Sequence, residues 1–311
     1  MTGGRDLPSS VDIREVGPRD GFQNEPEIIP TADKIALIDR LARTGVRRIE
    51  VTSFVRCDVV PQLADATAVL AGIDVPAGVA RSVLIPNERG LDRALEQRDR
   101  FEEVGVFLSA SETHNRCNVN RSVGESLAGL DQVIARAREA GLRVEAVIAT
   151  SFGCPYEGVV ERGRVLDIAR HLAHAGAEEI AFGDTTGMAN PVQVAEHFAD
   201  AAAALGDHVQ LTAHVHNTRG QGLANVLAAL QAGCASYESS FGELGGCPVP
   251  PGATGNIASE DLVSMLHEMR IETGLDLDAL LGAARAVREI LARPLGSHTL
   301  VAGPVRWEPS E

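Results

Sequence analysis

The sequence predicts a parallel (β/α)8 (TIM) barrel with additional C-terminal helices, on three observations. Eight short runs with strand character recur along the chain, and a helical pattern of apolar spacing separates most of them, as in parallel βα repeats. These units fill roughly 250 residues, the usual length of such a barrel, in a chain of 311. Residues with chemistry to offer fall at or just beyond the ends of those runs, where a barrel assembles its site. The runner-up, an open doubly wound sheet, lacks its mark: no GxGxxG follows the first strand.

The elements follow in order. VDIREV (11–16) reads as a strand. TADKIALIDRLARTG (31–45) places Ile35, Ile38, Leu41 and Ala42 at helical spacing, with Thr31 as N-cap and Gly45 as stop. RRIEVTSF (47–54) is the second strand and LADATAVLAGI (63–73) a helix. GVARSVLI (78–85) is a strand and GLDRALEQ (90–97) a helix. EVGVFLSA (103–110) is a strand, followed by the helix SLAGLDQVIARAREAG (126–141). RVEAVIAT (143–150) leads to RGRVLDIARHLAHAG (162–176), and EEIAFGDT (178–185) to PVQVAEHFADAAAALG (191–206). VQLTAHVH (209–216) leads to GLANVLAALQAG (222–233), and ASYESSFG (235–242) is the eighth strand. The expected organisation is a disordered segment over 1–10, a catalytic barrel over 11–260 and a helical extension over 261–311 packed on it.

Composition narrows the function. The net charge is −15, a poor match to nucleic acid, which selects basic faces. No window approaches eighteen uncharged apolar residues, so no membrane span is expected. The opening MTGGRDLPSS has no apolar core and does not read as a secretory signal. The 5 cysteines form no CxxC pair, so a disulfide framework or zinc knuckle is not expected and a reducing, cytoplasmic location is.

His214 and His216 stand two apart, so an extended strand puts both imidazoles on one face. Asp20 lies at the end of the first strand. Two imidazoles and a carboxylate suit a divalent metal with positions left open for a substrate oxygen; Mg²⁺ or Mn²⁺ fits best, with Zn²⁺ a further candidate. HxH alone describes a structural histidine pair equally well, and Asp20 tips the reading to metal. Asn256 in GATGN offers a carbonyl ligand or serves only the turn. Arg19 can hold an oxyanion or pair with a barrel acid such as Glu50. Asp184 follows the sixth strand. Cys247 in GELGGCP follows the eighth, where a thiol can move a proton, against the default of a buried apolar role. Cys154 reads as loop-structural, and Glu112 and His114 as either substrate contacts or solvated loop residues.

These residues bring out a family likeness. EVGPRDGFQNE, IEVTSF, GCPYEG, GDTTG, HVHNTRGQGLAN, GGCP and GNIASEDLVSML occur in the order and over the span (about 11–290) of 3-hydroxy-3-methylglutaryl-CoA lyases, which the chain resembles. The likeness implies that Asp20, His214, His216 and Asn256 ligate the metal, that Arg19 is the electrophilic arginine and that Cys247 is the catalytic thiol. Glu50 and Asp184 fall on supporting acids. It further implies an acyl-CoA substrate, a homo-oligomer (dimer or tetramer), and retro-Claisen cleavage to acetyl-CoA and acetoacetate. The chain departs from the family at Pro26, usually lysine, at Asn217, Thr218 and Arg219, usually Asp-Thr-Tyr, and at Val249, Pro250 and Pro251. Arg219 is thereby a candidate contact for a substrate carboxylate. Two alternatives remain: the same chemistry on a different 3-hydroxy-3-substituted or citramalyl-type acyl-CoA, and a metal- or acyl-CoA-binding barrel without turnover.

Overall fold

In the computed structural model, which describes residues 7–245 and 254–307, eight parallel strands close on themselves in chain order. They are β1 (Asp12–Glu15), β2 (Arg48–Ser53), β3 (Ala80–Leu84), β4 (Glu103–Ser109), β5 (Arg143–Ala149), β6 (Glu179–Asp184), β7 (Gln210–Val215) and β8 (Ser236–Ser239). β8 returns to β1 with Arg14 paired to Glu238, so no edge is left open. The helices are α1 (Thr31–Leu41), α2 (Ala66–Gly72), α3 (Glu88–Leu95), α4 (Glu112–Val119), α5 (Val123–Glu139), α6 (Arg162–Ala175), α7 (Pro191–Leu205), α8 (Gly222–Gln231), α9 (Ser259–Glu268), α10 (Leu277–Leu291) and α11 (His298–Ala302). The (β/α)8 barrel expected from the sequence is the fold.

Local chemistry starts and stops these helices. Ser122 and Glu125 form a capping box at α5, and Asn190 and Gln193 form another at α7, where Pro191 takes the first turn. Gly176 ends α6 at φ 116°, a conformation that suits glycine. At α1 the expectation needs correcting. Pro30, not Thr31, is the N-cap residue, and the Thr31 hydroxyl donates to Asp65 at 2.7 Å. The helix ends at Leu41, and Gly45 (φ 90°) belongs to the turn beyond it, where a Cβ would sit 2.1 Å from the Gly274 carbonyl oxygen.

Strand alternation divides the side chains between two environments. Outward residues such as Val104, Val106, Leu108, Val144, Ala146 and Ile148 are buried beneath the helices, with Val133, Ile134 and Ala137 of α5 in the same core. Each fully buried Val, Ile or Leu there contributes about 1.5–3 kcal/mol of transfer free energy. Inward residues form an ionic floor rather than the branched aliphatic layers common in such barrels. Arg14, 1% exposed, donates to Glu103 at 3.0 Å and Glu238 at 3.0 Å, and pairs with Glu145 and Glu179. Arg48 donates to Glu103 and to Glu179, each at 3.1 Å.

Ser9 and Ser10, assigned to the leading segment, are held against Glu272. The boundary expected at residue 260 falls inside α9, the helix that follows β8. α10 packs against α1 and α9, and α11 against α9. No helix among the described residues is long and apolar enough to cross a membrane.

Candidate active site

The carboxyl ends of the strands bring distant residues together. After β1 the chain makes a single π-type turn, Gly17–Gly21, in which the amides of Arg19, Asp20 and Gly21 all reach the Val16 carbonyl. Such turns are rare and often mark functional sites. Packing fixes this one: a Cβ on Gly17 would meet the Phe241 ring at 2.4 Å, and Glu15 accepts from the amides of Gly17 (2.7 Å) and Phe241 (3.1 Å). The turn aims Arg19 and Asp20 into the barrel mouth.

From β7, His214 and His216 project to the same side, with their Nε2 atoms 3.1 Å apart. Ligand atoms of Asp20, His214 and His216 all lie within 4.8 Å of one another. Asn256 bridges to His216 through the backbone, and its Nδ2 donates to Asp20 at 2.6 Å. Asp20 also accepts from Arg19 Nη1 at 2.8 Å and from Gln23 Nε2 at 2.5 Å. Arg19 Nε donates to Glu50 at 2.6 Å. The arginine is thus both the pairing partner of Glu50 and a neighbour of the carboxylate cluster. Gly245 lies so close that a Cβ would be 2.8 Å from Asp20 Oδ2 and 2.6 Å from Asn256 Nδ2.

Electrostatics distinguishes the acids. Burial pushes Asp20 up, but Arg19 and the two imidazoles outweigh it and hold the carboxyl below its usual range. Burial carries Glu50 to about 7 against the pull of Arg19. Burial also carries Asp184 to about 7; its Oδ1 accepts from the amides of Met188 (2.7 Å) and Ala189 (3.0 Å), while buried Oδ2 has no hydrogen bond. Burial, then the neighbouring His214, take His216 down to about 3.

The donor set fits a divalent cation. Two ligands at right angles, each about 2.1 Å from a cation, sit about 3.0 Å apart, which is the spacing of the two imidazole nitrogens. Asn256 Oδ1 and His216 Nδ1 are buried without hydrogen bonds. Oxygen and imidazole donors with no thiolate among the described residues suit a hard or borderline ion.

Other residues fall elsewhere. Cys247 lies outside the described residues. Arg219, a candidate contact for a substrate carboxylate, donates Nη1 to the carbonyls of Thr186 (2.8 Å) and Gly187 (2.7 Å). Asn217 is tied to Glu243 (3.2 Å) and to the Gly222 amide (3.2 Å). Buried Cys154 donates to Ser111 at 3.1 Å, a structural position. Glu112 and His114 lie on the unanticipated helix α4, where His114 is buried against Ser109 (2.8 Å) and Glu112 accepts the Val123 amide (3.0 Å). Sequence reasoning passed over Gln23, beside Asp20, and Glu238, whose Oε2 lies 2.8 Å from His214 Nδ1. The signal for Glu238 was an acid at an inward position of the strand next to the histidines.

A family model described as HMGL-like matches residues 10–287. The chain is 48% identical to the hydroxymethylglutaryl-CoA lyase YngG of Bacillus subtilis, over 94% of this chain and 97% of that one. It is 41% identical to a Pseudomonas aeruginosa protein named 3-hydroxy-3-isohexenylglutaryl-CoA/hydroxy-methylglutaryl-CoA lyase, over 95% and 98%. Among solved structures, an HMG-CoA lyase from Acinetobacter baumannii in complex with coenzyme A and 3-methylmalate superposes with a TM-score of 0.92 at 39% identity, covering 97% of this chain and 98% of that one.

Proposed function

We propose that this chain, which belongs to the HMGL-like family and is an enzyme of the hydroxymethylglutaryl-CoA lyase type, cleaves 3-hydroxy-3-methylglutaryl-CoA to acetyl-CoA and acetoacetate. The observation that carries the reading is the meeting of Asp20, His214, His216 and Asn256 beside the Arg19–Glu50 pair at the carboxyl end of the barrel. A divalent cation, Mg²⁺ or Mn²⁺ before Zn²⁺, bound by those four side chains supplies Lewis acidity that makes the substrate's tertiary hydroxyl a better acid.

The chain's own residues do the rest. Asp184 Oδ2, bare and buried while Oδ1 is pinned, takes the hydroxyl proton. The bond between C2 and C3 then breaks, the hydroxyl carbon becomes the ketone of acetoacetate, and the electron pair passes into the thioester as an enolate. Arg19 stabilises the oxygen on which that charge develops. Glu50 and Asp20 hold the guanidinium from two sides, so no reorganisation is needed as the charge appears. The Cys247 thiol, which follows β8 in the sequence, delivers the proton to the enolate carbon. The enzyme works in the cytoplasm as a homo-oligomer, dimer or tetramer, and needs no nucleic acid or membrane partner.

Steady-state cleavage of a panel of acyl-CoAs by metal-stripped enzyme, with and without added Mg²⁺ or Mn²⁺, tests the reading. The 3-hydroxy-3-methylglutaryl thioester should be cleaved fastest, and only with metal. The second reading, a bulkier or citramalyl-type acyl group, is favoured by the departures at Asn217, Thr218 and Arg219 and by the doubly named Pseudomonas relative. A higher kcat/KM on such a thioester would select it. Metal-independent cleavage would sink the proposed metal dependence.

A further inference from the structure

We infer that Glu238 is a positioning residue for the metal centre: it holds His214 in the tautomer whose Nε2 lone pair faces the site. The inference rests on reading Asp20, His214 and His216 as metal ligands. β7 and β8 are in register at this level, with His214 opposite Glu238. Glu238 Oε2 lies 2.8 Å from His214 Nδ1. An ionised carboxylate can only accept a hydrogen bond, so Nδ1 carries the proton and Nε2 keeps its lone pair. Nε2 is the nitrogen that faces His216 across 3.1 Å.

Glu238 is itself anchored. Its other oxygen, Oε1, accepts from Arg14 Nη1 at 3.0 Å, and Arg14 is gripped by Glu103, Glu145 and Glu179 in the barrel floor. His214 is therefore fixed through side chains that cross the barrel axis. His216 differs, because its Nδ1 is buried with no hydrogen bond. In the metal-free site the proton of the His216 ring therefore lies on Nε2, donated to the His214 lone pair, and among the described residues no carboxylate stands behind this second imidazole to set its tautomer for a cation. A carboxylate behind an imidazole both orients the ring and raises its strength as a ligand. A glutamine at 238 keeps the shape, loses the charge, and brings an NH2 group that favours the opposite tautomer.

The test compares Mn²⁺ binding to metal-stripped, full-length wild type, Glu238→Gln and Asp12→Asn by EPR titration, with a circular-dichroism melt for each. Asp12 joins the ionic floor by accepting from Arg48 Nη1 at 3.2 Å, outside the path from Arg14 through Glu238 to His214, so it reports generic damage to the floor. Glu238→Gln should bind Mn²⁺ about 10- to 100-fold more weakly, and Asp12→Asn should stay near wild type. Wild-type affinity in folded Glu238→Gln, or an equal loss in Asp12→Asn, overturns the inference. Should Glu238→Gln fail to fold, long-range ¹H–¹⁵N spectra of the histidine rings in metal-free wild type decide: an Nδ1–H tautomer at His214 supports the inference and an Nε2–H tautomer overturns it. A folded wild type that takes up no Mn²⁺ refutes instead the metal-ligand reading beneath it.

Discussion

Asp184 presents one carboxylate oxygen to two backbone amides and leaves the other bare, and burial lifts its pKa to about 7. A base must be ionised to act, so kcat/KM should fall as pH drops through an acid limb near or, with a bound cation nearby, below about 7. Asp184→Asn should lose activity by about 10²- to 10⁴-fold and lose that limb; a pH–rate profile of both proteins checks it, and an unchanged limb in the variant removes Asp184 as the base. Cys247 is tested by serine, close in size but a far weaker acid. Cys247→Ser should fold, bind metal and lose most of kcat with KM little changed. Exposed Cys57 and Cys117 should tolerate the same change, and so should Cys234, whose hydrogen bonds to carbonyls a hydroxyl can also make. Near-wild-type kcat in Cys247→Ser would remove Cys247 as the proton donor.

The segment leaving β8 shows what an element contributes. Gly242 (φ 64°), Glu243 (φ 65°) and Gly245 (φ 95°) all take left-handed backbone, and Glu260 accepts the Gly242 amide at 3.1 Å. This path brings Gly245 against Asp20 and Asn256 with no room for a side chain. Gly245→Ala therefore adds a strained φ and a methyl group that must displace two proposed ligands. It should weaken Mn²⁺ binding and cut kcat/KM by about tenfold or more, since displacements of about 1 Å in such sites cost up to about 10²-fold, while the melting curve moves little. Equal metal affinity in that variant would show that the loop can yield without disturbing Asp20. The same segment ties the site to the C-terminal helices. Asp261 of α9 accepts from Ser297 (3.1 Å) and from the amides of His298 (2.9 Å) and Thr299 (2.6 Å), capping α11.

At the scale of the whole molecule, buried titratable groups tilt stability in opposite directions. His197, 2% exposed among Phe152, Phe182 and Phe198, is held to about 3 by burial. A base depressed in the folded state stabilises above its unfolded pKa, and that stability is lost as pH falls below about 6.5 towards 3. By pH 5 the loss is about 2 kcal/mol for this group. His197→Leu should remove it, so urea titrations at pH 8 and pH 5 should differ less for the variant than for wild type. Glu260, raised by burial to about 8, acts the other way. Its contribution is complete below about 4.5 and is lost as pH rises through about 8. Glu260→Gln should flatten the fall in stability between about pH 4.5 and 8; an unaltered slope would mean that Glu260 is ionised in the folded protein.

The sequence by itself determined the eight βα units and their order, because periods of 2.0 and 3.6 residues are local properties that each segment carries alone. It also placed Asp20, Glu50, Asp184, His214 and His216 on or next to strands, whose carboxyl ends a closed parallel barrel gathers at one mouth. Closure decided the rest. Asn256 and Asp20 are 236 positions apart, and Arg14 and Glu238 are 224 apart. No local pattern states such a partnership, because the final pairing of the last strand with the first creates it. For the same reason the charged floor and the π turn gripped by Phe241 were not legible, while the bond from Glu238 to His214 needed the register of β7 against β8. Arg219 makes the point most simply: nothing in its own segment tells that Thr186 and Gly187, more than thirty positions earlier, supply two carbonyls to its Nη1. Charge and periodicity are written residue by residue, whereas a buried side chain's partner is chosen by the surface that packing brings against it.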